Sequence, residues 1–221
     1  MKLAIKAITK FIIGVLIVGA LLFVPAGSLG YLNGWLFMAI LFLPMMALGV
    51  VLFVKSPKLL ENRLSANETE KTQKGVVALS GLCFLAGFII AGLDYRFGWS
   101  NVPTWLVIVA SSVLIISYAL YAEVMRENAY LSRTIKVEEE QKVIDTGLYK
   151  IIRHPMYAVT VWLFLAIPLV LKSYYSLICF ALYIPIIIVR IIGEEKFLSK
   201  NLNGYLDYKT KVKYRLIPFI W

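Results

Sequence analysis

Hydrophobic positions fall in long blocks with brief polar punctuation, and four of the blocks approach the roughly 20 residues a helix needs to cross a bilayer. They are Phe11–Val24, Gly34–Val54, Gly75–Leu93 and Pro103–Ala122. A shorter pair follows, Tyr157–Leu171 and Tyr174–Ile192, split only by Lys172 and Ser173. That pair reads as a helical hairpin turning at the far membrane face. The pattern predicts an all-α, polytopic membrane bundle of about six spans, with no internal repeat. Pro44, Pro168 and Pro185 lie inside spans and are expected to kink them, neighbouring helices satisfying the freed backbone groups.

Composition agrees with the pattern: 60% of the 221 residues are hydrophobic and 16% charged, far from a soluble average. The charges that remain are distributed unevenly. In a six-span arrangement, 21 of the 23 Lys and Arg fall on one side, in the N-terminus, second loop, fourth loop and C-terminal region. Arg96 and Lys172 fall on the other. Cytoplasmic loops carry such an excess, so both termini are expected in the cytoplasm. Basic loops beside anionic lipid also account for the net charge of +10, and no nucleic-acid partner is implied. Lys2, Lys6 and Lys10 resemble the start of a signal peptide, but Pro25-Ala26-Gly27 is a weak cleavage site, so the first span reads as an uncleaved helix.

Other short features carry little chemistry. Cys83 and Cys179 sit inside apolar spans without a C-x-x-C partner, which reads as packing and leaves no metal site to propose. The sequon Asn67-Glu68-Thr69 falls in a loop placed in the cytoplasm, where glycosylation is not expected. The longest polar segment runs from Glu123 to Arg153, about 30 residues, beyond the usual length of a structureless connection. Within it Glu138, Glu139 and Glu140 read as a solvated face, Asp145-Thr146-Gly147 as a turn, and Leu148, Tyr149, Ile151 and Ile152 as residues that dock on the membrane domain.

Two patches concentrate polar residues at the membrane edge. In Tyr149-Lys-Ile-Ile-Arg153-His154-Pro155-Met-Tyr157, Pro155 suits the first position of a helix and places His154, the chain's one histidine, at its cap. A helix N-terminus with Arg153 adjacent offers a seat for a carboxylate. The same residues read alone also fit a plainer arrangement, with Arg153 snorkelling to headgroups and His154 capping the helix. In Arg190-Ile-Ile-Gly-Glu194-Glu195, Arg190 and Glu194 share a helix face after about fifteen uncharged residues. Ionisable residues at that depth are expected to face inward and mark function. In a hairpin, one span starts where the other ends, so both patches are expected at one level, lining one pocket.

"GLYKIIRHPMY", followed after about thirty apolar residues by "RIIGEEKFLSKNLNGYLDYKTKVKYRLIPF", resembles the isoprenylcysteine carboxyl methyltransferase and phospholipid methyltransferase superfamily of integral-membrane enzymes. The resemblance covers residues 145 to 221, and Leu148 stands where many relatives have proline. It implies S-adenosylmethionine as methyl donor, held on the cytoplasmic side by the last two helices and the C-terminal tail. Tyr149, Arg153, His154, Pro155 and Tyr157 are the implied cofactor-binding residues, with Glu195, Tyr205 and Tyr208 as further candidates. Arg190 and Glu194 match the pair beside the transferred methyl. The chain then divides into a four-span scaffold and lipophilic-substrate region, residues 1–122, and a catalytic region, residues 123–221.

Methyl transfer from a sulfonium demands chiefly that nucleophile, methyl and sulfur be held in line. Arg190 is expected to orient an acidic acceptor by charge-assisted hydrogen bonds, and Glu194 to fix the guanidinium. For an amine acceptor, Glu194 or His154 would instead accept a proton. In either case His154 is expected to hold the cofactor. The acceptor, a prenylcysteine, a phospholipid or another lipophilic acid or amine, would enter from the bilayer. Two rival readings remain: an NADPH-dependent membrane reductase of the sterol or isoprenoid type, and a non-enzymatic transporter or structural subunit.

Overall fold

A computed structural model describes residues 2–64, 71–132, 134, 135 and 137–221. The sequon at 67–69, and Arg133 and Lys136 among the counted charges, lie outside the described residues. Those described are helical, without strands. The helices are α1 (Lys2–Ala26), α2 (Leu32–Lys55), α3 (Pro57–Leu64), α4 (Lys71–Phe97), α5 (Thr104–Glu127), α6 (Pro155–Val170), α7 (Tyr174–Ala181), α8 (Tyr183–Asn201) and α9 (Tyr205–Lys211). A single 3₁₀ turn, Gly147–Lys150, stands between α5 and α6.

Among the described residues, five segments are long and apolar enough to cross a membrane: α1, α2, α4, α5, and α7 with α8 taken together. The sixth expected span, α6, is apolar but has 16 residues, about 24 Å of helix against a hydrocarbon core of roughly 30 Å. Of the expected kinks, Pro185 has the clearest effect. Its ring is incompatible with the carbonyl four residues earlier, and the chain leaves α7 at Leu182 before re-entering helix as α8. Helix α2 continues through Pro44, and Pro168 sits in the last turn of α6.

Small residues let the helices approach. A Cβ on Gly92 would stand 2.5 Å from the Leu22 carbonyl of α1, and one on Gly87 2.5 Å from the Phe180 ring of α7. Close backbone approach of this kind is how helices associate where lipid removes the hydrophobic drive. Ser176 adds a hydroxyl bond of 2.8 Å to the Gly87 carbonyl. The shared core is aliphatic and aromatic, with Leu22, Phe37, Leu114, Val170 and Phe180 all but excluded from solvent.

At the face reached by the α6–α7 turn, buried Asp94 accepts from the Ser100 backbone N–H at 2.7 Å, the Ser100 hydroxyl at 2.6 Å and the Ser173 hydroxyl at 2.5 Å. Tyr31 and Asn33 donate to the carbonyls of Leu171 and Val170. Such donors satisfy a buried carboxylate and the end of α6 together, so the hairpin turn is fastened to α2 and α4. This fastener was not expected from the sequence, where nothing singles out Asp94. Trp35, Trp99, Trp105 and Tyr175 are exposed at the same end of the bundle, as an interfacial aromatic belt requires.

Candidate functional site

At the opposite end, the sequence patches meet. Pro155 opens α6 at its first position with His154 as N-cap; the His154 side chain makes no capping bond, so the ring does something other than close the helix. The turn before it depends on Gly147, whose φ is +50° and whose Cβ would collide with the Glu127 carboxylate. That carboxylate accepts from the Leu148 N–H at 2.9 and 3.1 Å, anchoring the turn to the end of α5. Gly147→Ala should therefore destabilise the protein by about 1–2 kcal/mol from backbone strain alone, and more if Glu127 is displaced. A lower thermal midpoint in detergent is the check.

Glu195, 3% exposed, is the hub. Its Oε1 accepts from Arg153 Nε at 2.7 Å and lies 3.3 Å from His154 Nε2; Oε2 accepts from Arg215 Nε at 3.1 Å, with Lys209 Nζ at 3.7 Å. Arg153 also donates to the carbonyls of Val212 and Lys213 at 2.7 and 2.8 Å. The backbone N–H groups of Arg153 and His154 donate to Tyr214 and Arg215 at 2.9 and 3.0 Å. The carboxylate that takes the seat expected beside Arg153 is thus the protein's own Glu195, and Arg153 is occupied in holding the tail.

A second chain of contacts links α6, α8 and α4. Tyr157 donates to Glu194 Oε2 at 2.5 Å and accepts from Arg190 Nε at 3.3 Å, so its hydroxyl bridges the pair. Arg190 Nη1 donates to Gln73 Oε1 at 2.9 Å. Gln73, 3% exposed on α4, reaches the guanidinium because Gly193 offers no side chain in the way. Sequence reading missed Gln73, which looks like the polar lead-in to a span. The signal that could have found it was glycine inside R-I-I-G-E-E, since an isolated helical glycine marks a close approach.

A solvent-open cavity lies over both groups. Of the expected residues, Tyr149, Arg153, His154, Tyr157, Glu194, Tyr205 and Tyr208 line it. Pro155, Arg190 and Glu195 do not, and Arg190 is reached from the wall through Tyr157. The 128–144 loop supplies much of the remaining wall, including Tyr130, Leu131, Thr134 and Val143. Within that loop Glu138 departs from a solvated face: its side chain is largely covered and pairs with Lys58 at 2.7 Å and Asn62 at 2.8 Å, pinning the loop to α3. Ile151, expected to dock, is 54% exposed.

Tyr208 donates to the Tyr149 carbonyl at 2.7 Å, and Asn128 donates to the Tyr149 hydroxyl at 3.0 Å. Among the described residues, the Tyr205 hydroxyl is buried with no hydrogen-bond partner. Burial pushes the phenols of Tyr149, Tyr205 and Tyr208 above their ordinary value. They remain neutral donors throughout physiological pH. Because the folded state holds these protons more tightly, the stability these three phenols contribute is fully present below about pH 10 and is lost as pH rises further.

Fold and site together define a membrane protein with a polar cleft at one face. Residues 105–203 match the model of the phospholipid methyltransferase family, a segment from α5 through α8 that contains the first motif and the Arg190–Glu195 start of the second and ends before Tyr205. The chain also resembles uncharacterized protein YpbQ of Bacillus subtilis (strain 168), at 29% identity over 98 residues, 44% of this chain and 58% of that protein. In fold it is similar to the eukaryotic intramembrane Ras methyltransferase, isoprenylcysteine carboxyl methyltransferase. That likeness has a TM-score of 0.58 at 17% identity and covers 97% of this chain and 77% of the other. The resemblance carried by the paired motifs therefore holds at the level of a family segment, residues 105–203, and of fold.

Proposed function

We propose that the protein transfers a methyl group from S-adenosylmethionine to a lipophilic acceptor, with an isoprenylcysteine-like carboxylate or a lipid as the acceptor class. The observation that carries this reading is the Arg190–Tyr157–Glu194 chain, meeting the wall of a cavity that also holds the unpaired Tyr205 hydroxyl.

The residues fit such a cofactor chemically. A buried orphan hydroxyl costs free energy until something accepts its proton, and a ribose or carboxylate oxygen would do so. Around Glu195 stand two guanidiniums, with Lys209 further out, against one carboxylate. The surplus positive charge suits the cofactor's own carboxylate. Open space in the cavity is about 100 Å³, below the roughly 300 Å³ at which small-molecule sites begin, so a whole cofactor needs more room than this arrangement of side chains leaves.

When bound, the cofactor supplies a methyl group on a positively charged sulfur. The protein's part is placement. Arg190 orients an acceptor carboxylate by charge-assisted hydrogen bonds, itself held by Gln73. Tyr157, tied to both partners, fixes the guanidinium plane, and Glu194 tempers the positive charge that would otherwise blunt the nucleophile. For an amine, Glu194 at the wall is the group placed to accept the proton. We place the pocket and both termini on the cytoplasmic side, where the cofactor is dissolved.

Purified protein given S-adenosylmethionine tritiated on the methyl is expected to label a prenylcysteine or phospholipid. Release of volatile label by alkali identifies a methyl ester, and retention an N-methyl or ether product. Absence of label from every acid, amine and phospholipid acceptor, in protein that binds S-adenosylhomocysteine, would contradict the reading.

A further inference from the structure

The last eight residues form a turn of which the pocket chemistry uses only Arg215. Three backbone N–H groups, of Arg215, Leu216 and Ile217, converge on the Trp221 carbonyl at 2.8, 2.9 and 3.2 Å. The turn is held to α6 by the Arg153 and His154 backbone and braced by the Arg215 guanidinium, 5.0 Å from the Trp221 ring centre. Its inner side is apolar: Leu216 is buried with Tyr157, Ile187 and Ile191, and Trp221 packs at the edge of that cluster. Its outer side is apolar too. Ile217, Phe219 and Ile220 are 48%, 86% and 76% exposed. Phe219 takes φ of +67°, which bulky residues rarely adopt, and its ring sits 5.3 Å from that of Tyr214.

The depth of this turn can be placed. Arg190 follows Tyr174 by 16 residues, so it stands about 24 Å from the opposite face, inside the roughly 30 Å hydrocarbon thickness. Ile187 and Ile191, on which Leu216 rests, bracket that level. The exposed tip is therefore at the height where acyl chains give way to headgroups. The residues leading into it are basic, with Lys211 and Lys213 exposed and Lys209 partly so. Tyr214, Phe219 and Trp221 supply at this face the kind of aromatic girdle that Trp35, Trp99 and Trp105 supply at the other.

We propose that the C-terminal turn, residues 214–221, is a membrane-docking surface that seats Phe219 and Ile220 in the pocket-side leaflet, with Lys211 and Lys213 engaging anionic lipid headgroups. Apolar burial just below the headgroups, combined with attraction between basic residues and acidic lipids, is the physics of interfacial binding. The docking holds whichever reaction the pocket performs.

The test uses the full chain with Cys83→Ala and Cys179→Ala, carrying Phe219→Cys or Ile220→Cys labelled with an environment-sensitive fluorophore, in lipid nanodiscs. Asp207→Cys, on the exposed side of α9, is the control. Labels at 219 and 220 are expected to be quenched by lipids bearing a shallow nitroxide and shielded from aqueous iodide, the 207 label showing the reverse. Lipid quenching at 219 should be several-fold stronger with phosphatidylglycerol present than in phosphatidylcholine alone. Iodide quenching at 219 and 220 equal to that at 207 would overturn the proposal, and equal lipid quenching in both compositions would overturn its anionic-lipid part.

Discussion

Arg190→Ala is expected to lower methyl transfer by about a hundredfold or more, the scale on which removing a preorganised donor acts. Arg190 is 6% exposed, and the oxygens that hold it include the Tyr157 hydroxyl and the Gln73 amide, from different helices. A guanidinium held in one orientation is what in-line alignment of an acceptor needs. Arg190→Lys should recover little, because an ammonium cannot reproduce the planar fork. Gln73→Ala leaves the guanidinium charged but less constrained, and its effect should be smaller and appear mainly in kcat. Turnover by Arg190→Ala within a fewfold of the natural chain would remove Arg190 from the mechanism.

The other large effect is structural. Glu195→Gln removes the carboxylate charge between Arg153 and Arg215 while nearly keeping its shape. Both Glu195 and Arg153 side chains are about 95% buried, at 4% and 5% exposure. Breaking a buried pair by neutralising one partner costs about 3–5 kcal/mol, because the other charge is left without compensation. Arg215 is 31% exposed and adds less. Since Arg153 also holds the Val212 and Lys213 carbonyls, the tail should loosen with it, and S-adenosylhomocysteine affinity should fall together with the thermal midpoint. Faster protease cleavage after Lys211 or Lys213 would report the same event. A variant as stable and as tightly binding as the natural chain would show that the tail is held by its apolar contacts alone.

Much of this architecture was legible because a bilayer imposes severe rules on sequence. Blocks such as Gly34–Val54 have few alternatives to a spanning helix, and the Lys172-Ser173 interruption fits a hairpin turn. The hairpin in turn brings His154 and the Arg190–Glu195 cluster to one end. What the sequence concealed were partners chosen by tertiary approach. Gln73 reads as a loop residue until α4 is laid against Gly193, and nothing singles out Asp94 until Ser100 and Ser173 close on it. Within the expected site, residue types were readable but pairings were not. Arg190 and Glu194, four apart on one helix, are bridged by the Tyr157 hydroxyl from another. Arg153 and Glu195 hold each other and the tail, with Arg153 also in the cavity wall, and the Tyr205 hydroxyl is buried without a partner among the described residues.

The most direct test of the central claim is calorimetric titration of the detergent-purified protein with S-adenosylhomocysteine and, separately, with NADPH, repeated on Tyr205→Phe. Saturable heat with S-adenosylhomocysteine, weakened about tenfold in Tyr205→Phe as loss of one buried hydrogen bond implies, is the expected result. Heat with NADPH alone, or S-adenosylhomocysteine binding that ignores Tyr205, would contradict the assignment of this cavity to an adenosyl methyl donor.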